Sequence, residues 1–223
     1  MNPKTETPHY HQGSRMLTHG SELKNAGSAL ILLHGRGASA QDIIGLAGEF
    51  DLPGNMIVLA PEARGNLWYP QPLTAPLESN EPYLASALRR ISEVVAALNQ
   101  AGIPSERIVI GGFSQGASLS IEYVLRSGRR WGGLLAFSGG YIWPGGQPRP
   151  APGGGLGGMP VFLGCSNVDP FIPLARVEDT AALLTAAGAR VDKHIYPGMA
   201  HTIVPDEIAS AQPILSALGE STR

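Results

Sequence analysis

The stretch GGFSQGAS, residues 111–118, sets a hydroxyl between two glycines, with Gly112 two places before Ser114 and Gly116 two places after. Directly ahead lies the apolar run RIVIGGF. Directly behind lies QGASLSIEYVLRS, in which Leu119, Ile121, Val124 and Leu125 recur at helical spacing. A G-x-S-x-G that turns a strand into a helix thrusts its serine out at a tight corner as a nucleophile, the glycines leaving room where the two backbones approach. The helix N-terminus beneath adds positive potential that favours developing negative charge. The pentapeptide alone is a weak signal in a chain with 29 glycines, and a Gly-rich turn is the plain alternative. Its place between a strand and a helix gives it weight.

A serine hydroxyl is a poor nucleophile without a base to take its proton and a third group to orient that base. Six histidines are available. His9, His11 and His19 fall in a polar N-terminal stretch read as mobile, where fixed geometry is hard to keep. His34 closes the run ALILLH at the active end of a sheet, but its place in the order is wrong for the base. His194 lies inside the last strand-like run and reads as a half-buried or edge histidine. His201, in YPGMAHTIVPDEI, sits in the loop between the last strand and the final helix, which makes it the candidate base. For the acid, VFLGCSNVDPFIP offers Asp169 in a turn after a buried run, with Pro170 fixing the backbone; an ordinary Asp-Pro turn is the alternative. Asp179, on a predicted helix, and Asp192, within a strand run, are weaker candidates. The order Ser114, Asp169, His201 is that of α/β-hydrolases.

These residues need a scaffold, and the chain supplies nearly continuous apolar runs, as strands buried on both faces of a parallel sheet require. They are ALILLH (29–34), MIVLA (56–60), RIVIGGF (107–113), GGLLAFS (132–138), MPVFLGC (159–165) and ARVDKHIY (189–196). Between them, helical spacing marks about 40–50, about 81–101, 115–128, 174–187 and about 205–218. The alternation predicts an α/β class with a mostly parallel central sheet and helices on both faces. Residues 1–25 are poorly defined and carry one candidate edge strand near SRMLTH behind a loose tail; residues 26–220 read as a single domain. The segment 144–158, PGGQPRPAPGGGLGG, resembles a linker in composition, but the alternation resumes beyond it, so it reads as a long surface loop.

Composition narrows the function classes. Of 223 residues, 43% are hydrophobic and 15% charged, enough to bury a sizeable core and too few charges for disorder. A net charge of −2 gives no electrostatic footprint for nucleic acid or an anionic membrane. The single cysteine, Cys165, cannot form an intrachain disulfide. The polar start lacks the apolar stretch of a secretory signal, and no window approaches the length needed to cross a bilayer, so a cytoplasmic protein without stable membrane insertion is expected.

Taken together, LHGRGA, GNLWY, GGFSQGAS, FSGG, VDPFIP and GMAHTI resemble the phospholipase/carboxylesterase family of serine hydrolases, which includes bacterial carboxylesterases and acyl-protein thioesterases, over about residues 28–218. The resemblance implies an α/β-hydrolase fold with no large cap domain, with Ser114, Asp169 and His201 as the triad. Its LHG segment maps to Leu33, His34 and Gly35, and its oxyanion hole to the backbone N–H groups of Arg36 and Gln115. Two fixed donors beside the nucleophile are what a carbonyl oxygen turning negative requires. The Arg36 guanidinium is then either solvated or in contact with an anionic substrate. Trp68 and Tyr69 resemble the family's aromatic pair lining an acyl pocket, with two core aromatics as the alternative. In one departure, the acid motif GCSNVDPFIP is longer between glycine and aspartate than the usual family form, and its Phe171 and Ile172 are expected to narrow the neighbouring pocket.

The implied function is a serine carboxylesterase acting on short- to medium-chain acyl esters through an acyl-enzyme, with a small-molecule ester as partner and no metal or organic cofactor. An acyl-protein thioesterase or lysophospholipase is the alternative, and a non-catalytic binding member of the fold a further one. A cysteine nucleophile, as in dienelactone hydrolase, is disfavoured because Cys165 ends a strand and reads as a small buried hydrophobe. A homodimer is left open.

Overall fold

A computed structural model of the chain describes residues 9–150 and 155–219. The start of the expected N-terminal tail (1–8), part of the expected Gly/Pro-rich loop (151–154) and the end of the expected domain (220) lie outside the described residues. The strands are β1 (Met16–Gly20), β2 (Ser28–Leu33), β3 (Met56–Pro61), β4 (Ile108–Phe113), β5 (Gly133–Phe137), β6 (Pro160–Ser166) and β7 (Arg190–Tyr196). The helices are α1 (Ala40–Ile44), α2 (Tyr83–Gln100), α3 (Gln115–Ser127), α4 (Leu174–Ala186) and α5 (Pro205–Ser216). The strands form one sheet of order β1-β3-β2-β4-β5-β6-β7. Every pairing is parallel except that of β1 with β3, which is antiparallel and in register from Met16 opposite Pro61 to Gly20 opposite Ile57.

The continuous apolar runs are explained by cover on both sides. Along β2, Ala29, Ile31 and Leu33 join a core with residues of α2, α3 and α4, while Leu30 and Leu32 join a second core with residues of α1 and α5. Full burial of each Leu or Ile is worth roughly 1.5–3 kcal/mol, so the central strands are the stiffest platform available. β1, which has only one neighbour, is mostly exposed.

The strand order also fixes where a site can form. From β2 the chain crosses by α1 to β3 on one side, then by α2 to β4 on the other. The loops leaving β2 and β4 therefore diverge to opposite faces. Such a topological switch opens a crevice at the carboxyl ends of the two strands, the usual ligand position in open α/β sheets.

One segment differs from expectation, and one expected surface loop is more firmly anchored than its composition implies. The segment before β1 is docked rather than loose: Tyr10 stacks on Tyr83 with ring centroids 4.3 Å apart, His9 Nε2 lies 2.6 Å from Glu93, and His11 is buried. Tyr83 and Glu93 lie on α2, more than 70 residues away in sequence and out of reach of local reading. The loop after β5 is a surface loop, as expected, but it is strapped down. Both terminal nitrogens of Arg149 donate to the carboxylate of Glu122, which is buried on α3, and Gly158 N–H donates to Gly188 O over 2.7 Å.

Candidate active site

Ser114 occupies the corner between β4 and α3 with φ 55° and ψ −117°, a conformation that non-glycine residues rarely adopt. It is held there from both sides, its N–H donating to Phe137 O over 2.9 Å and its carbonyl accepting from Ser118 N–H over 3.0 Å. The two elbow glycines meet the end of β2. A Cβ at Gly112 would lie 2.5 Å from Leu33 O, and one at Gly116 2.0 Å from the same oxygen. Side chains are excluded by backbone, so the helix can enter close above the sheet and lift Ser114 into the crevice.

Ser114, His201 and Asp169, far apart in sequence, form one hydrogen-bonded chain. His201 Nε2 is 2.9 Å from Ser114 Oγ, and His201 Nδ1 is 2.6 Å from Asp169 Oδ2. The other carboxylate oxygen, Oδ1, accepts from the N–H groups of Phe171 (2.8 Å) and Ile172 (3.0 Å). Burial alone would push the Asp169 carboxyl up; the hydrogen bonds from His201 and from those two N–H groups outweigh it and hold the group below its usual range. An ionised Asp169 accepts Nδ1–H, which leaves Nε2 free to accept the serine proton. The imidazole packs against Phe113, tilted at a centroid distance of 4.7 Å, and against Phe171, edge-on at 4.9 Å. The loop that carries it is tied to α5 through the N–H of Val204, which donates to Glu207 Oε2 over 3.0 Å.

Ser114 opens into a cavity of about 650 Å³ walled by Tyr69, Leu73, Phe171 and Ile172, with Arg36 and Gln115 also on its lining. Among the described residues, the backbone N–H groups of Arg36 and Gln115 donate to no protein acceptor. The Arg36 side chain is exposed, as the solvated alternative expects, but it is also engaged by the backbone. It donates to the carbonyls of Tyr69 (3.1 Å), Pro70 (2.9 Å) and Gln71 (3.2 Å) and so clamps the cavity wall. The expected aromatic pair is split. Tyr69 lines the cavity, whereas Trp68 is fully buried behind it and donates Nε1–H to His34 O over 3.0 Å. Gln115 ties this wall to the elbow, with Oε1 accepting from Trp68 N–H (3.0 Å) and Nε2 donating to Tyr69 O (2.8 Å).

His34 and His11 lie beneath this wall. Burial lowers the pKa of both, and their contacts fix neutral tautomers. His34 Nε2 accepts from Ala63 N–H while Nδ1–H donates to Gly35 O; His11 Nδ1 accepts from Arg64 N–H while Nε2–H donates to Trp68 O. His194 instead contacts Asp192 on β7. Cys165 is buried with Sγ 3.9 Å from Asp169 Oδ2, and burial, reinforced by that carboxylate, pushes its thiol up to about 12, which removes nucleophilic thiolate at neutral pH.

Sequence reading missed the Arg36 clamp and the supports at His11 and Glu207. Only Glu207 left a local trace, as an acid three residues after Val204 with Pro205 between, an N-terminal capping pattern. Among the described residues no helix is long and apolar enough to cross a membrane, and no group of three or more His, Cys, Asp or Glu side chains is placed to hold a metal ion.

Comparison with known proteins places the chain among these: the model of a family described as Phospholipase/Carboxylesterase matches residues 20–218. A solved phospholipase/carboxylesterase from Dyadobacter fermentans is similar with a TM-score of 0.85 and 41% identity, covering 91% of this chain and 96% of that one. A solved esterase, PE8, gives 0.73 and 25%, covering 92% and 98%. Among curated proteins, acyl-protein thioesterase 1 of Gibberella zeae is 34% identical over 51% of this chain and 49% of its own length. The chain spans about half the length of the curated relatives it matches.

Proposed function

We propose that this chain, which belongs to the phospholipase/carboxylesterase family of α/β-hydrolases, cleaves carboxylic esters by two-step acyl transfer through Ser114. The observation that carries the reading is the hydrogen-bonded chain from Ser114 Oγ through His201 to Asp169, with the serine at the floor of an apolar-walled cavity. His201 Nε2 takes the hydroxyl proton as Oγ bonds to the ester carbonyl carbon. The carbonyl oxygen, now negative, is received by the N–H groups of Arg36 and Gln115; one such donor is typically worth about 100- to 1,000-fold in rate. The carbon–oxygen bond to the alcohol then breaks, the alcohol leaving with the proton held by His201. Water repeats the two steps and frees the acid. Asp169 orients the imidazole and balances its charge in the transition state.

Substrate length follows from what covers the cavity. None of the described residues of the loop 139–158 lines it, so an acyl chain finds walls in Tyr69, Leu73, Phe171 and Ile172 and, among the described residues, no lid. Short- to medium-chain esters are the proposed substrates. A second reading, thioester cleavage, is favoured by the names of the curated relatives, and the same residues would perform it.

The test measures kcat/KM over p-nitrophenyl esters of increasing chain length and over a palmitoyl thioester, with fluorophosphonate labelling of wild type and Ser114→Ala. Labelling that depends on Ser114, with an optimum at short or medium chains, is the expected result. Preference for the palmitoyl thioester selects the second reading, and unlabelled wild type sinks both.

A further inference from the structure

The residues between β6 and Asp169 are engaged in hydrogen bonds of their own. Ser166 Oγ accepts from Val168 N–H over 3.1 Å, which shapes the turn that delivers Asp169. The next residue, Asn167, points away from that turn: its Oδ1 accepts from Gly198 N–H over 2.8 Å. Gly198 belongs to the loop that carries His201, and Asn167 N–H donates to Tyr196 O at the start of that loop. One side chain thus links the acid turn to the histidine loop.

The bond falls where the loop has a conformational choice. Tyr196-Pro197-Gly198-Met199 is closed by Met199 N–H on Tyr196 O over 3.4 Å, and Gly198 has φ 69°, with proline before it. These are the features of a type II turn. In such a turn the central peptide carries the Gly198 N–H and can flip toward the type I orientation, which redirects the chain three residues before His201. The far end of the loop is tied by Val204 to Glu207, so the near end is where the imidazole's approach to Ser114 is set.

We propose that Asn167 is a positioning residue for the reaction, holding the Pro197–Gly198 peptide in the one orientation that seats His201 between Ser114 and Asp169. The inference rests on the esterase reading above. Because Asn167 and Gly198 are both exposed, the bond adds little to global stability and acts through the imidazole's placement.

Steady-state kinetics on a short p-nitrophenyl ester, fluorophosphonate labelling rates and thermal melts of wild type, Asn167→Ala and Asn167→Asp test it. Asn167→Ala is expected to lower kcat and the labelling rate about five- to tenfold, the value of one lost hydrogen bond, with KM within twofold and melting within a few degrees of wild type. Asn167→Asp keeps an acceptor at the same place and is expected to recover most of kcat. Wild-type kcat in Asn167→Ala, or equal loss in both variants, overturns the role of Asn167 while leaving the esterase reading intact. An inactive, unlabelled wild type overturns that reading instead.

Discussion

At the scale of single residues, Ser114 is the point where backbone energy and chemistry meet. Its φ of 55° is a sparsely populated region for a residue with a Cβ and costs roughly 1–3 kcal/mol, a strain typical of sites that pre-organise a reacting group. Ser114→Gly removes the hydroxyl and the strain together. We expect it to be more stable than wild type by about 1 kcal/mol in urea unfolding, with no labelling or turnover. Ser114→Ala, which keeps the Cβ, should lose activity without that gain. Equal stability of the two variants would show that the corner is relaxed. The residues at this scale divide by the range of their signals. Ser114, Asp169 and His201 were legible because type, order and local turn chemistry identify each in its own segment. The work of Arg36, His11 and Trp68 was not, since their partners are backbone groups 33 to 57 positions away, and a carbonyl carries no residue-type signature.

At the scale of elements, the site depends on the spacing between β2 and α3. The atoms that a Cβ on Gly116 would meet are Leu33 O, Leu33 C and His34 O, at 2.0, 2.4 and 2.7 Å. All are backbone, so no side chain can swing aside; the helix or the strand must move. Gly116→Ala is expected to destabilise the protein by on the order of 3 kcal/mol and to abolish labelling. Gly45→Ala, where nothing lies within 4 Å and φ is −58°, should be neutral or slightly stabilising. Denaturant melts of the pair, giving no difference, would remove the close-approach argument. Element boundaries were readable in the sequence to within a residue or two for β2 to β7; for β2 to β6 two-sided burial produces the apolar runs, whereas β7 is an edge strand with no fully buried residue. The helix read at 40–50 is an α-helix only over Ala40–Ile44, followed by a tighter 3₁₀ turn over Gly45–Glu49. Gly45 and Gly48 have low helix propensity, a local signal available in the sequence but outweighed there by the apolar spacing. The loop after β5 gave no such signal, because its anchor, Arg149 on Glu122, joins segments that periodicity treats separately.

Across the whole molecule, buried titratable groups make stability depend on pH in opposing directions. Burial depresses His11 and His34, so the folded state binds their protons less readily than the unfolded chain, and stability is lost as pH falls below about 6.5. Glu207 acts the other way. Its carboxyl is fully buried and Oε1 has no partner among the described residues; burial, with Asp206 adding to it, pushes the group up to about 7, against the N–H of Val204 and a weaker pull from His194. A raised carboxyl holds its proton in the folded state after the unfolded chain has released its own. Its contribution is therefore complete below the unfolded value near 4.5 and is lost as pH rises to about 7, by on the order of 3 kcal/mol. Because the histidines oppose this over part of the same range, the wild-type curve alone cannot separate them. Subtracting Glu207→Gln can, since glutamine keeps an acceptor for Val204 and does not titrate. The stability of wild type relative to this variant, from urea unfolding at several pH values, should fall steadily from pH 5 to pH 7.5 and flatten above it. A difference that stays constant would mean that Glu207 is ionised throughout, and that a charge, rather than a neutral acid, is buried behind the loop bearing His201.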